Sequence, residues 1–240
     1  MLLRLENSYN SMAANMRHIE RIANNLANAN TVGYRQDRIF TEVLNEEIDA
    51  EGAPVSMRKM QQWADHRAGG LETTGNPLDV AIDGEGFFVL NNPETGESQY
   101  TRAGRFLLNE DGALQTAGGL VVEGASGQID LPPEGGDIEI RKNGDLLFNG
   151  QLMGTIRVVQ FDNPEQLQRI DTASFVANGQ IPTDIEDPSL LQGQVEMSNV
   201  NALAAMTELI ENSRLFESQQ KAMRTIDMYL QRASRELARF

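Results

Sequence analysis

The chain has 240 residues, which is long enough for one or two domains with a hydrophobic core. Its 35 acidic and 20 basic side chains give a formal net charge of −15, and the negative excess lies between residues 41 and 200. This charge argues against nucleic acid as a partner, because phosphate binding needs a basic surface. The chain has no cysteine, which excludes disulfides, thiolate metal sites and cysteine nucleophiles, and no apolar run approaches the roughly 18 residues of a membrane span.

The first thirty residues predict one amphipathic helix with a narrow apolar stripe. The stripe follows the a/d heptad pattern of a coiled coil and consists of Leu2, Leu5, Tyr9, Met12, Met16, Ile19, Ala23 and Leu26. An Asn-rich stretch before Gly33 ends the pattern, because Asn and Gly adopt the backbone conformations that end helices. So long a stripe is not stable alone, and another segment or another chain must cover it.

Residues 35–77 show no long periodicity and predict an extended connector. Within it, residues 39–44 indicate a helical turn or a short packed segment, and residues 54–63 are compatible with a strand. Trp63 is the only tryptophan, and it either anchors the connector on its own domain or contacts a neighbouring subunit.

Residues 78–192 predict a β-rich domain. Short apolar segments alternate with Gly- and Asn-rich turns, of which Lys142-Asn143-Gly144 is the strongest turn signal. About ten short strands without an intervening helix favour a sandwich or an open barrel. Residues 178–192 contain two prolines and are interpreted as a loop that returns the chain to the helical part.

Residues from about 201 to 240 predict a second long helix, with Asn201 as its N-cap. Apolar residues recur every seventh position at Leu209, Phe216, Met223, Leu230 and Leu237, and the alternate positions include Ala202, Ala205, Ile226, Ala233 and Phe240. Asn212 and Gln219 interrupt the stripe as polar layers, which fix register at some cost in stability. Matching heptads at both ends favour pairing of the two helices with each other over packing of each on its own core.

These patterns predict an α+β fold. The N- and C-terminal heptad helices pair as a coiled-coil layer, and an all-β domain is inserted between them. The predicted ranges are 1–34 for the N-terminal helix, 35–77 for the connector, 78–192 for the outer β domain and 193–240 for the C-terminal helix.

Three parts of the chain resemble signatures of the bacterial flagellar rod and hook protein family. Residues 24–35 (NNLANANTVGYR) resemble the N-terminal signature, and residues 193–201 (GQVEMSNVN) resemble the C-terminal one. Residues 74–88 (TGNPLDVAIDGEGFF) and 100–106 (YTRAGRF) are similar to the start of the family's β domain. The short length and the run PLDVAI most resemble the proximal rod members, and the distal rod and hook members are the alternatives.

The resemblance implies a structural subunit that self-assembles helically into the axial drive shaft, which transmits motor torque for motility. It also implies export through the flagellar type III apparatus without a cleaved signal peptide, a periplasmic position, and partners that are further copies and homologous rod proteins above and below in the stack. The N-terminus itself lacks the features of an ordinary secretory signal. The predicted helical assembly interface comprises Leu5, Tyr9, Met12, Met16, Ile19, Asn24, Asn25, Leu26, Asn28, Asn30, Leu209, Phe216, Met223, Leu230, Leu237 and Phe240, and Trp63 is the candidate contact from the connector.

No combination of residues indicates catalysis. His18 and His66 are isolated and form neither a triad nor a zinc site. Residues 84–86 (GEG) lack the third glycine and the following helix of a dinucleotide site, so they are interpreted as a turn. The acids between 79 and 85 lack a calcium-loop pattern and are more typical of a solvated strand face. We therefore expect no enzyme activity, no cofactor and no metal.

A secreted β-domain binding module, such as an adhesin with oligomerising helical ends, is an alternative from a different class. It shares the predicted architecture but does not need Asn-rich signatures at both ends. A membrane-active helix is disfavoured, because residues 1–30 carry a narrow stripe and a polar face of mixed charge rather than a basic one.

Overall fold

The structure is a computed structural model that describes residues 2–44, 57–132 and 135–237. The chain packs as two compact units. One is the strand-rich segment Asn28–Val200, and the other is formed by the helical segments on either side of it.

The helical unit contains α1 (Leu2–Ala27) and α2 (Ala202–Leu237). Asn201 caps α2, since its Oδ1 accepts a hydrogen bond from the amide of Ala204 at 3.0 Å, and the predicted cap is confirmed. The side chain of Asn15 on α1 donates to Gln219 on α2, whereas Arg21, later in α1, donates to Glu208, earlier in α2. The two helices therefore run antiparallel and contact each other.

The strand unit is built from short antiparallel strands and one 3₁₀-helix (Pro164–Gln166). In the described residues the strands are β1 (Gln36–Leu44), β2 (Met57–Asp65), β3 (Leu71–Thr73), β4 (Val80–Ile82), β5 (Phe87–Asn91), β6 (Ser98–Thr101), β7 (Phe106–Leu108), β8 (Leu114–Thr116), β9 (Val121–Gly124), β10 (Gly127–Gln128), β11 (Ile138–Ile140), β12 (Asp145–Phe148), β13 (Gln151–Thr155), β14 (Val158–Gln160), β15 (Gln168–Arg169), β16 (Ser174–Val176), β17 (Thr183–Asp184), β18 (Leu190–Gln192) and β19 (Gln194–Glu196).

The largest sheet has the order β15-β16-β6-β5-β9-β8-β7, with β10 beside β9 and β14 pairing with both β5 and β17. A separate sheet has the order β11-β12-β13, and β1 and β2 form a two-stranded ribbon in which Gln36 lies opposite Asp65. Strands β3 and β4, early in the unit, pair with β19 and β18 at its end. This pairing closes the unit and places the chain before Val200 beside residues 71–82.

Two apolar clusters form the core of the strand unit, and β5 contributes to both of them. Phe88 and Leu90 belong to the larger cluster, whereas Phe87 and Val89 belong to the smaller one with Phe175. Successive side chains of a strand point to opposite faces, so β5 is covered on both sides.

The predicted α+β class is confirmed, and several local predictions are wrong. Residues 39–44 belong to β1 rather than to a helical turn, because pairing with β2 satisfies their backbone. The predicted loop 178–192 contains β17 and β18, and sixteen strands rather than about ten follow residue 78 in the described chain. Strands of two or three residues are too short to show a period of two, so the sequence pattern gives no sign of them.

The packing of the chain differs from the predicted ranges at both boundaries. Residues 28–34 and 193–200 pack within the strand unit, and the predicted connector 35–77 contains β1, β2 and β3. The backbone of Gly33 explains part of this, because its amide donates to the carbonyl oxygen of Glu196 at 2.7 Å.

Candidate assembly interface

The predicted interface residues of α1 divide between two sides of the helix. Met12, Ile19 and Leu26 are half-buried and lie on the same side as Asn15, which reaches α2. Tyr9 is 70 % exposed and Met16 is 48 % exposed. The side chain of Leu5 lies outside the described residues. One half of the predicted stripe therefore stays open to solvent in the single chain.

On α2, the heptad positions Leu209, Phe216 and Met223 are half-buried, and Ala205 is buried. Their spacing places them on the same side of the helix as the polar layers Asn212 and Gln219. The predicted positions Leu230, Leu237 and Phe240 lie outside the residues whose side chains are described.

A polar layer joins the two helices. The side-chain amide of Asn15 donates to Oε1 of Gln219 at 2.9 Å. Nε2 of His18 lies 3.1 Å from a carboxylate oxygen of Glu208, which also accepts a hydrogen bond from Arg21 at 3.4 Å. These contacts set the register of one helix against the other.

Apolar side chains also cover parts of α2 that lie away from this layer. Tyr229, for example, is 66 % exposed. The exposed large apolar residues of α2 are Leu203, Met206, Ile210, Leu215, Ile226, Met228 and Tyr229. Leu203, Ile210 and Met228 lie on one line of the helix surface, on the side away from the polar layer, since they are separated by seven and eighteen residues. Exposed apolar surface of this kind is typical of interaction sites.

The Asn-rich stretch ends α1 and enters the strand unit. Asn25 is buried and Asn28 is half-buried, whereas Asn24 and Asn30 are exposed. The carbonyl oxygen of Asn28 accepts from the amide of Thr31 at 3.1 Å, and its side-chain oxygen accepts from the Thr31 hydroxyl at 3.2 Å. Asn28 therefore forms the turn that follows the helix.

Gly33 follows this turn at a position that only glycine fits. Its φ of +69° is in the left-handed region. A Cβ at Gly33 would lie 2.2 Å from the backbone nitrogen of Ala103. The close approach brings residues 31–35 against residues 101–104, so the chain enters the strand unit along a defined path.

The centre of this region is the carboxylate of Glu196, which is 1 % exposed. One oxygen lies 2.7 Å from Nη1 of Arg35 and accepts from the amide of Gly69 at 2.7 Å. The other oxygen accepts from Nη1 of Arg102 at 3.3 Å. Arg35 is fully buried, and burial lowers the pKa of Arg102 to about 10, although the charge of Glu196 opposes this shift. We call Arg35, Arg102 and Glu196 the buried ion cluster.

Sequence patterns did not reveal this cluster, although its members lie one in each of the three parts of the chain that resemble family signatures. Arg35 ends the N-terminal signature, Arg102 is the third residue of YTRAGRF, and Glu196 is in the C-terminal signature. Charged residues at those positions were the available signal, but the sequence carried no information that the three segments meet.

Residues 65–67 are bound by both terminal signatures. The side-chain amide of Asn199 donates to the carbonyl oxygens of Asp65 at 2.7 Å and Arg67 at 2.9 Å, and Arg35 also donates to the carbonyl of Arg67 at 2.9 Å. Burial opposes ionisation of Asp65, but hydrogen bonds from Arg67 and the charges of Arg38 and Arg67 together outweigh it and lower the pKa of Asp65.

Arg169 adds a third guanidinium group beside the cluster. Its Nη2 donates to the carbonyl oxygen of Arg35 at 2.6 Å and lies 3.1 Å from a carboxylate oxygen of Asp37. The guanidinium carbon lies 4.7 Å from the ring centre of Tyr34 and 4.8 Å from that of Phe175. Arg169 thereby connects residues 34–37 to β16.

His66 lies among aromatic rings in the same region. Its ring centre is 5.4 Å from that of Phe87 and 5.1 Å from that of Phe175, both in edge-on geometry. Burial lowers the pKa of His66 to about 4, and the charges of Arg35, Arg169 and Arg102 act in the same direction. The imidazole is therefore neutral at pH 7.

Trp63 is half-buried, and the guanidinium carbon of Arg38 lies 6.0 Å from its ring centre. Its contact with a neighbouring subunit stays a prediction. Of the acids predicted to be solvated, Asp83 and Glu85 are exposed, whereas Asp79 is buried and accepts from the side chain of Asn76 at 3.0 Å. Within the described ranges, no three acidic or histidine side chains converge as metal ligands. None of the described helices combines the length and the apolar character needed to cross a membrane.

Comparison with known proteins identifies the family. Residues 5–35 match the family described as flagella basal body rod protein, residues 81–148 match the flagellar hook protein FlgE/F/G D1 domain, and residues 191–236 match the flagellar basal body rod FlgEFG protein C-terminal family. The flagellar basal-body rod protein FlgF of Mesorhizobium japonicum is 37 % identical over 90 % of this chain and 91 % of its own length. The chain belongs to the flagellar basal-body rod protein family.

Further relatives of this rod protein include both rod types. The flagellar basal-body rod protein FlgG of Caulobacter vibrioides is 32 % identical over 96 % of the chain and 97 % of its own length. The FlgF of Rhizobium meliloti is 32 % identical over 93 % and 92 %. The resemblance inferred from the signatures is confirmed, and this rod protein is a structural subunit of the flagellum rather than an adhesin.

Proposed function

We propose that this rod protein is a proximal-rod subunit of the FlgF type. The observation that supports the type is the identity of 37 % to an FlgF over nine-tenths of both chains. An identity of 32 % to an FlgG over almost the full length makes the distal rod the second candidate.

Self-assembly is proposed to proceed by coupled folding and association. The two helices pair as a coiled-coil layer, and the exposed apolar residues of α1 and α2 are buried against neighbouring subunits when a subunit is added. Repetition of one head-to-tail contact that does not close into a ring generates a helical rod. The acidic strand unit, a sandwich or open barrel in this proposal, faces outward.

The proposed partners are further copies of the chain, homologous rod proteins above and below, and the flagellar export apparatus. The proposed location is the periplasmic part of the basal body, reached without a cleaved signal peptide. The role is mechanical, with no reaction and no cofactor. In functional terms the proposal keeps the division into residues 1–34 and 193–240 for the axial core, 35–77 for the connector and 78–192 for the outer domain.

A pair of substitutions on the exposed line of α2 tests the interface. Ile210→Ser with Met228→Ser removes exposed apolar surface without filling or emptying a core, so the purified subunit should keep its circular dichroism spectrum. We expect cells with this variant to lose motility and their purified basal bodies to lack it. Ile181→Ser, which changes an 87 % exposed residue of the strand unit, is the matched control and should leave the rods normal. Normal rods built from the α2 variant would overturn the proposed interface.

The position in the rod is tested by labelling. A short epitope in the exposed turn 93–96 is accessible without disturbing a strand. Labelled antibody on detergent-extracted basal bodies should bind near the inner-membrane end of the rod for a proximal subunit. Binding near the outer-membrane end would instead assign the chain to the distal rod.

A further inference from the structure

His66 holds a central position between the segments that enter and leave the strand unit. It follows β2 directly, and the backbone carbonyls of its neighbours in sequence, Asp65 and Arg67, accept hydrogen bonds from the side chains of Asn199 and Arg35. Its ring packs edge-on against Phe87 of β5 and Phe175 of β16. Any displacement of the imidazole therefore moves the residues to which both terminal signatures bind.

The surroundings of His66 carry an excess of positive charge. Arg35, Arg102 and Arg169 act on the imidazole from three different segments of the chain. The carboxylate of Glu196 is bound by two of these guanidinium groups, and that of Asp37 by the third. The remaining acid that acts on His66 is Asp65, which pairs with Arg67 and Arg38. A proton on His66 would add a fourth positive charge to a buried site whose carboxylates are already paired.

We propose that His66 makes this region an acid-sensitive lock, in which a neutral imidazole keeps residues 31–36 and 195–199 bound to the strand unit and protonation releases them. The proposal concerns the response of the folded subunit to pH and goes beyond its role as a rod subunit. Its failure would leave the rod assignment and the helical interface untouched.

The direction of the effect follows from the two protonation equilibria of His66. In the closed form its pKa is about 4, and in an open, solvated form it returns to the ordinary value of 6.5. Between these values the open form binds a proton that the closed form does not, so the closed form is fully stable above pH 6.5 and loses stability as the pH falls towards 4. Between about pH 7.5 and about pH 5.5 the opening equilibrium constant should rise about tenfold.

Amide hydrogen exchange on the purified full chain at these two pH values tests the proposal. The amides of Gly33, Gly69 and Met197 report on the lock, because they donate to Glu196 or to Gly70 across it. The amides of Leu131 and Ile156 report on a distant part of the strand unit. After correction for the intrinsic exchange rate, the first group should lose about tenfold in protection at the lower pH, while the second group is unchanged.

The variants separate His66 from other titrating groups. His66→Phe keeps an aromatic ring between Phe87 and Phe175 but cannot be protonated, so its protection should not respond to pH. His66→Gln is a second uncharged variant for the case in which the Phe variant misfolds. His18→Gln changes the other histidine, on α1, and should respond as the wild type does. An equal pH response in His66→Phe or His66→Gln, no response in the wild type, or an equal loss at Leu131 and Ile156 would each overturn the lock.

Discussion

At the scale of single residues, Glu196 is a buried carboxylate held by distant parts of the chain. Its carboxylate is enclosed with two guanidinium groups and one backbone amide, and these three donors come from segments far apart in sequence. A buried charge is tolerated only when it is paired. Removing the one carboxylate leaves Arg35 and Arg102 facing each other without a counter-charge.

We therefore predict that Glu196→Gln destabilises the strand unit by about 3 kcal/mol, since breaking a buried pair at one partner is costly even when the shape is kept. The free energy of unfolding from urea titration, followed by the fluorescence of Trp63, is the measurement. Glu139→Gln is the matched control. It removes the acidic partner from an exposed ion pair with Arg141 and should lower the free energy of unfolding by less than about 1 kcal/mol. Equal losses in the two variants would contradict the role of the buried ion cluster.

Gly33 and Gly75 give a second prediction at this scale, because the two glycines share a conformation but not an environment. Their φ angles are +69° and +74°. A Cβ at Gly33 meets the backbone of Ala103, whereas a Cβ at Gly75 meets no atom within 4 Å. We expect Gly75→Ala to lower the free energy of unfolding by about 1–2 kcal/mol, because alanine is disfavoured in the left-handed conformation. Gly33→Ala should lower it clearly more. The midpoints of thermal unfolding of the two variants are the measurement. Similar midpoints would mean that residues 31–35 do not need the close approach of Gly33 to the backbone of Ala103.

At the scale of elements, the polar layer between α1 and α2 is expected to fix the register of the two helices at some cost in their stability. The Asn15–Gln219 hydrogen bond occupies the apolar stripe at a position where leucine would be more stabilising. Asn15→Leu with Gln219→Leu should raise the thermal midpoint of the helical signal in circular dichroism. Gln220→Leu, at an exposed neighbouring position, should leave the midpoint within a degree or so. A lower midpoint for the double variant would show that the layer stabilises the helices rather than selects their register.

The sequence predicted the elements with long periods or strong turn chemistry. Both terminal helices, the cap at Asn201 and the turn at Asn143-Gly144 follow from local rules, and the structure has them. The same rules could not find Ile22, which is buried although it lies off the predicted stripe. Burial at one position of a helix depends on what packs against it, which a heptad pattern does not state.

Apart from the contact between the two terminal helices, contacts between distant segments were outside the reach of the sequence. Arg35 and Glu196 are separated by most of the chain, and the pairings of β3 with β19 and β4 with β18 also join segments far apart in sequence. Motif resemblance located the segments that meet, but not the ion cluster they form. Pattern rules describe neighbours along a helix or strand, so a charge pair closed by tertiary packing leaves no period to detect.

At the scale of the whole molecule, the two units bury their apolar residues to different degrees. The strand unit has two enclosed apolar clusters, whereas seven large apolar residues of α2 remain exposed in the described chain. A domain with an enclosed core is stable alone, but a helix pair with apolar residues on its outer surface gains stability when another chain covers them. We therefore expect the strand unit to fold first and the helices to become ordered last.

We predict that in the dilute monomer the amides of residues 2–27 and 202–237 exchange faster than those of β5, β6 and β9, and that they become protected in the assembled rod. The physical reason is that the helices lack the cover that neighbouring subunits supply. Hydrogen exchange with mass spectrometry on monomer and on purified basal bodies is the measurement, with the strand unit as the internal control because its core should be protected in both samples. Full protection of both helices at a dilution where sedimentation shows only monomer would mean that the helix pair is stable by itself. Coupled folding would then be excluded, and the exposed apolar residues of α2 would act as a preformed docking surface instead.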